Sequence, residues 1–85
     1  MNNLLGYLIN TTLEDVIPYI SEIKWTREKI EEISKRANKI EEFIAALEEE
    51  IERTSYIRKT DLKIFLMYFR KRVKGIASKE RSKGK

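Results

Sequence analysis

From Ile30 to Ile51 the apolar residues fall at Ile30, Ile33, Ala37, Ile40, Ile44, Leu47 and Ile51, three and four positions apart in alternation. That spacing draws one apolar stripe along an α-helix, with heptad a positions at 30, 37, 44 and 51 and d positions at 33, 40 and 47. The same register runs back through Thr26, Ile23, Tyr19 and Val16. Pro18 suits a first helical turn, where a missing N–H has no intrahelical partner to lose. The pattern predicts a single long helix over about 18–55, roughly 57 Å at 1.5 Å per residue. The competing arrangement is a break near Trp25, with Thr26 capping a new helix.

A shorter helix is expected over about 3–10, with Leu5, Leu8 and Ile9 as its apolar face. The following NTTLED reads as a connection with Thr12 or Asp15 as caps. A last helix is expected over about 60–75, opened by Thr60 or Asp61 and stopped at Gly75. Leu62, Phe65, Leu66, Phe69 and Val73 give it a core face, which Ile64, Met67 and Tyr68 widen. A helix this apolar needs cover on more than one side, which implies an oligomer or a protein partner. The expected architecture is all-α and short–long–short, one domain over 1–77 with a basic flexible tail over 78–85.

The charges beside the heptad stripe change sign along it. Arg27, Lys29 and Arg36 occupy e and g positions in the first half; Glu41, Glu48 and Glu50 occupy them in the second. A second copy laid antiparallel, with Ile30 against Leu47 and Ala37 against Ile40, sets Arg27 against Glu48 and Lys29 against Glu50. Exposed pairs contribute only tenths of a kcal/mol, so they set orientation more than strength. The pattern therefore predicts an antiparallel coiled-coil or bundle dimer through Ile30, Ile33, Ala37, Ile40, Ile44, Leu47 and Ile51. A monomeric bundle that covers the same stripe with the first and last helices is the competing reading.

The short–long–short order also resembles the histone fold, over Thr26 to Val73. Ile57 stands four residues before Asp61, similar to the spacing before the last helix of archaeal histones. That family places a basic Arg-Lys-Thr run before the equivalent of Ile57, whereas here Arg58-Lys59-Thr60 follows it. The resemblance implies an alternative, histone-like topology and carries over no DNA-binding loop residue.

The 85 residues contain no Cys and no His. This removes disulfides, thiolate ligands, the commonest general base and the commonest transition-metal ligand. Consecutive acids such as Glu48, Glu49, Glu50 and Glu52 fan around a helix instead of converging on a cation. No glycine-rich phosphate loop is present. The expectation is a protein that is not an enzyme, with no cofactor and no metal. Absence of Gln alongside abundant Ile, Glu, Lys and Arg resembles thermophile proteins, including archaeal ones. The apolar run at Leu4–Ile9 is too short for a membrane span and lacks a preceding basic residue. A soluble, cytoplasmic protein is expected.

Net charge is +4, unevenly shared. Residues 1–57 hold seven Lys or Arg and twelve Asp or Glu, a net of −5; residues 58–85 hold eleven and two, a net of +9. On the last helix Lys63, Arg70 and Lys74 fall within about 40° of one another, Lys59 extends the ridge and Lys71 lies beside it. Arg72 points away on the outer side. Lys79, Arg81, Lys83 and Lys85 follow in the tail. A ridge of this kind can meet successive phosphates, and a basic arm can follow the backbone without reading sequence. The favoured partner is nucleic acid, gripped more by the ridge than by the tail. The protein would act alone or as an accessory subunit of a replication or transcription complex. The alternatives are a protein-interaction subunit or adaptor whose basic end meets an acidic partner, and a membrane-surface anchor on IFLMYFRKR. Tyr68 and Phe69 could stack on unpaired bases, although Phe65 and Phe69 read better as core. Trp25 and Tyr56 are candidate exposed contacts.

Overall fold

The computed structural model describes the backbone of residues 3–83 and the side chains of residues 3–76. Within these the protein is all-α, in the order α1 (Asn3–Val16), a 3-10 turn (Ile17–Tyr19), α2 (Ile23–Ser34), α3 (Ile40–Arg53) and α4 (Tyr56–Lys83). α4 is flanked by α1 and α3, and α2 packs against α3, α1 and α4.

α1 runs through the expected connection. Thr11 and Thr12 do not end it, because their hydroxyls donate back to helical carbonyls, Thr11 Oγ1 to Tyr7 O at 2.9 Å and Thr12 Oγ1 to Leu8 O at 2.7 Å. Leu13 and Val16 then complete one buried stripe with Leu5, Leu8, Ile9 and Thr12. Pro18 does occupy a first-turn position, but in the three-residue 3-10 turn, and Ile20 turns extended behind it.

The single helix expected over 18–55 is overturned. The span holds the end of the 3-10 turn, then α2 and α3, with breaks at residues 20–22 and 35–39. α2 closes with tightening bonds, Arg36 N–H to Ile33 O at 3.1 Å and Ala37 N–H to Ser34 O at 3.2 Å. The Ser34 hydroxyl donates to Glu31 O at 2.7 Å, and Glu42 reaches back to accept from Asn38 N–H at 2.9 Å, securing the start of α3. Ala37 is buried inside the reversal. Intrinsic helix preference favours continuity through this stretch by only a fraction of a kcal/mol per residue. Folding back lets two apolar stripes bury in one chain, a larger gain.

This reversal also corrects the dimer seam. Ile30, Ile33, Ala37, Leu47 and Ile51 are buried in the core of a single chain, and Ile40 and Ile44 pack half-buried against that core. The antiparallel pairing read from the charges is realised in part within the chain: Lys29 Nζ lies 3.7 Å from Glu50 Oε2. Arg27 does not meet Glu48, which pairs with Arg70 instead. With no long central helix, the histone-like topology is not adopted.

The aromatic centre of the core is Phe43, Phe65 and Phe69. Phe43 lies 5.0 Å from Phe69 and 6.1 Å from Phe65 between ring centroids, and Phe65 and Phe69 stack at 5.8 Å. Phe43 stands outside the heptad stripe. α3 turns Phe43, Leu47 and Ile51 inward because it packs on α4 as well as α2.

Asp61 does not cap α4. It lies inside the helix, buried, and accepts backbone N–H bonds from Ser21 at 3.0 Å and Glu22 at 2.8 Å, forty residues away in sequence. Two charge-assisted bonds thus tie the segment after the 3-10 turn to α4. A two-residue connection separates α3 from α4, which begins with Tyr56 at a φ of 57° and 90% exposed. It does not stop at Gly75; the helix continues to Lys83, because one mid-helix glycine costs only about 1 kcal/mol and the residues beyond are mostly good helix formers. The tail expected over 78–85 is therefore helical as far as Lys83.

Candidate nucleic-acid interface

α4 spans 28 residues, about 42 Å. Leu62, Phe65, Leu66 and Phe69, spaced three, one and three apart, form its buried face. This spacing leaves two flanks, and the cations of α4 divide between them.

On the flank toward α3, Lys63, Arg70, Lys71 and Lys74 line one open groove of about 830 Å³. The expected ridge is thus brought together, with one difference. The facing wall of the groove is acidic, built from Glu48, Glu49 and Glu52, and the floor carries Ile51, Leu66 and the 48%-exposed Met67. Arg70 is already paired with Glu48. Antiparallel packing makes this unavoidable: the acidic second half of α3 runs alongside the basic middle of α4. A phosphate approaching the ridge meets like charge from α3.

On the flank toward α1, Tyr68, Lys71, Arg72 and Ile76 line a second groove of about 460 Å³, together with Tyr7, Leu8 and Asp15. Lys71 sits on the crest and borders both grooves. Its Nζ lies 5.7 Å from the Tyr68 ring centre, within cation–π range. Tyr19, presented by the 3-10 turn, stacks on Tyr68 with centroids 5.7 Å apart and planes 24° apart. Arg72 is held by Asp15.

Lys59 is half-buried near the start of α4. Lys79, Arg81 and Lys83 fall within the α4 backbone, their side chains outside the described residues; Lys85 lies outside the described residues altogether. Trp25 is not a free contact: Arg58 lies 4.7 Å over its ring, fixed in turn by Glu22 at 3.2 Å. Among the described residues no helix is long and apolar enough to cross a membrane.

Tyr7 and Tyr19 are absent from the sequence-derived site. Tyr7 had a signal, since it falls off the Leu5–Leu8–Ile9 face. Tyr19 had none, because its place beside Tyr68 depends on the long-range Asp61 tie.

Neither a curated protein nor a solved structure matches this chain. A family model does, over residues 8–74, from within α1 to within α4. The chain belongs to the MJ1579 family.

Proposed function

We propose that this is a small, non-enzymatic, nucleic-acid-associated protein that grips the phosphate backbone without reading sequence. The grip lies in the C-terminal half of α4. The observation that carries the reading is the net +9 of residues 58–85, set largely on one helix that continues to Lys83. A helix pre-orders its cations, so binding does not have to fix the backbone, which otherwise costs about 1–2 kcal/mol per residue. The acidic wall of α3 directs the contact away from Lys63, Arg70 and Lys74 and toward Lys71, Arg72 and the residues beyond. The lack of His and Cys supports a binding role over a catalytic one. Action as an accessory subunit of a replication or transcription complex fits the same surface.

The test is a salt titration of binding to random-sequence duplex. If about four phosphates are neutralised, log affinity falls with log salt at a slope near −3.6. No binding at about 50 mM salt, or binding indifferent to salt, contradicts the reading.

A second reading, a protein-interaction subunit, is favoured by the α3–α4 groove, where exposed Met67 lies between an acidic and a basic wall. Self-association would then use this groove, because the heptad stripe is closed within the chain. Sedimentation across a concentration series tests it: a dimer lost on Met67→Glu supports the groove, and a monomer throughout removes self-association.

A further inference from the structure

The α1 flank of α4 combines features that phosphate binding alone does not need. Tyr7 and Tyr19 are 61% and 59% exposed, although an aromatic ring is costly to leave in water. They come from separate elements, α1 and the 3-10 turn, yet both border the same side of α4. Tyr68 meets both: it stacks on Tyr19 and lines one groove with Tyr7. Lys71 and Arg72 stand at the same place, the first over the Tyr68 ring and the second oriented by Asp15.

We propose that Tyr7 and Tyr19, the latter backed by Tyr68, form a base-stacking shelf for single-stranded nucleic acid, with Lys71 and Arg72 holding its phosphates. The inference rests on the nucleic-acid reading above and narrows it to one substrate class. Proteins that hold single strands without sequence preference pair aromatic faces with flanking cations, because every base offers a π-face. In a duplex the base faces are stacked on one another and closed to the protein. A duplex can use only the lysines and arginines here, whereas a single strand can use the rings as well. Asp15 pairs with Arg72 as Glu48 pairs with Arg70, but among the described residues it is the one acid lining this groove, where three line the other.

The α3 flank makes the contrast. It has more cations and a larger groove, but no aromatic ring lines it. Met67 offers apolar bulk without a flat face, and three glutamates oppose a phosphate. Nothing on that side rewards an unpaired base.

The experiment compares an oligothymidylate of about ten nucleotides with a mixed-sequence duplex of equal length, by fluorescence anisotropy at one low salt concentration. Wild type is measured beside Tyr7→Ala, Tyr19→Leu and Tyr19→Phe. Leucine keeps apolar bulk against Tyr68 but removes the stacking face; phenylalanine keeps the face. Thermal melting shows whether each variant remains folded, and Tyr7, largely exposed, is the variant least coupled to packing. The expected result is tighter binding to the single strand by wild type. Tyr7→Ala and Tyr19→Leu each lose about tenfold of single-strand affinity while duplex affinity stays within about twofold. Tyr19→Phe binds like wild type. Equal loss on both ligands, or no loss from either ring variant, overturns the shelf and leaves the phosphate reading standing. Wild type that binds neither ligand overturns the phosphate reading and the shelf with it.

Discussion

The two flanks of α4 carry similar cations and face opposite surroundings. Toward α3, Lys63, Arg70 and Lys74 look across a groove at Glu48, Glu49 and Glu52. Toward α1, Arg72 and the crest residue Lys71 stand among tyrosines, with Asp15 as the acid that pairs there. Counting charge along one helix cannot separate these sides. What a cation can bind depends on the neighbouring helix: α3 supplies a wall that repels phosphate, and α1 with the 3-10 turn supplies one that rewards a base. The acidic body and basic end of the sequence are therefore partly folded onto each other along the α3 side of α4.

The largest expected effect comes from breaking the tie that builds the α1 side. Asp61→Ala leaves the Ser21 and Glu22 N–H groups without their carboxylate and should lower stability by about 3 kcal/mol, read by urea denaturation. It should also weaken single-strand binding, because Tyr19 loses its anchored turn. A variant as stable as wild type would show that the tie is not what holds the segment.

Next comes a direct contrast of the flanks. Lys71→Glu with Arg72→Glu should reduce affinity for either nucleic acid at least tenfold at low salt, whereas Lys63→Glu should change it less than about twofold. Equal losses would erase the distinction between the sides. All three positions lie off the buried face, so circular dichroism should remain that of a folded helical protein.

A smaller effect runs in the opposite direction. Neutralising the α3 wall with Glu48→Gln, Glu49→Gln and Glu52→Gln should raise duplex affinity about threefold and steepen its salt slope, as Lys63 and Arg70 become available to phosphate. The stability change should be small, since the Arg70–Glu48 pair is exposed and such pairs contribute about 0–1 kcal/mol. Unchanged affinity would mean that charge on α3 does not shield the ridge.

Gly75→Ala should matter least. A methyl group there meets nothing within 4 Å, so the change removes only the entropic cost of a mid-helix glycine. Melting should reveal a gain of about 0.5–1 kcal/mol. A loss would mean that α4 does not run through this position in solution.

The legible parts of the fold were those set by short-range periodicity. Leu62, Phe65, Leu66 and Phe69 marked the buried face of α4, and Leu5, Leu8 and Ile9 marked that of α1, because three- and four-residue spacing acts locally. The break at 35–39 was not legible. The heptad register passes through it unslipped, the residues favour helix, and the gain that reverses the chain is tertiary burial of both halves. Phe43 was missed for a related reason: it lies outside the a and d stripe, and its role appears only once α3 has two partners. At the site, the basic residues of α4 were visible as a charge run. Their division into a shielded and an open flank was not, because it depends on which helix lies on each side. The meeting of Tyr19 with Tyr68 was least visible, since the segment that presents Tyr19 is tied down by a carboxylate forty residues away.

The central claim, that a polyanion is held on the α1 side of α4 and not on the α3 side, is tested most directly by backbone amide shift mapping. Isotope-labelled protein would be titrated with a short oligothymidylate at low salt. Perturbed amides should cluster at Tyr7, Tyr19, Tyr68, Lys71 and Arg72, with those of Glu48, Glu49, Glu52 and Lys63 unmoved. Shifts centred on Glu48, Glu49, Glu52 and Lys63, with the tyrosine side silent, would contradict the claim.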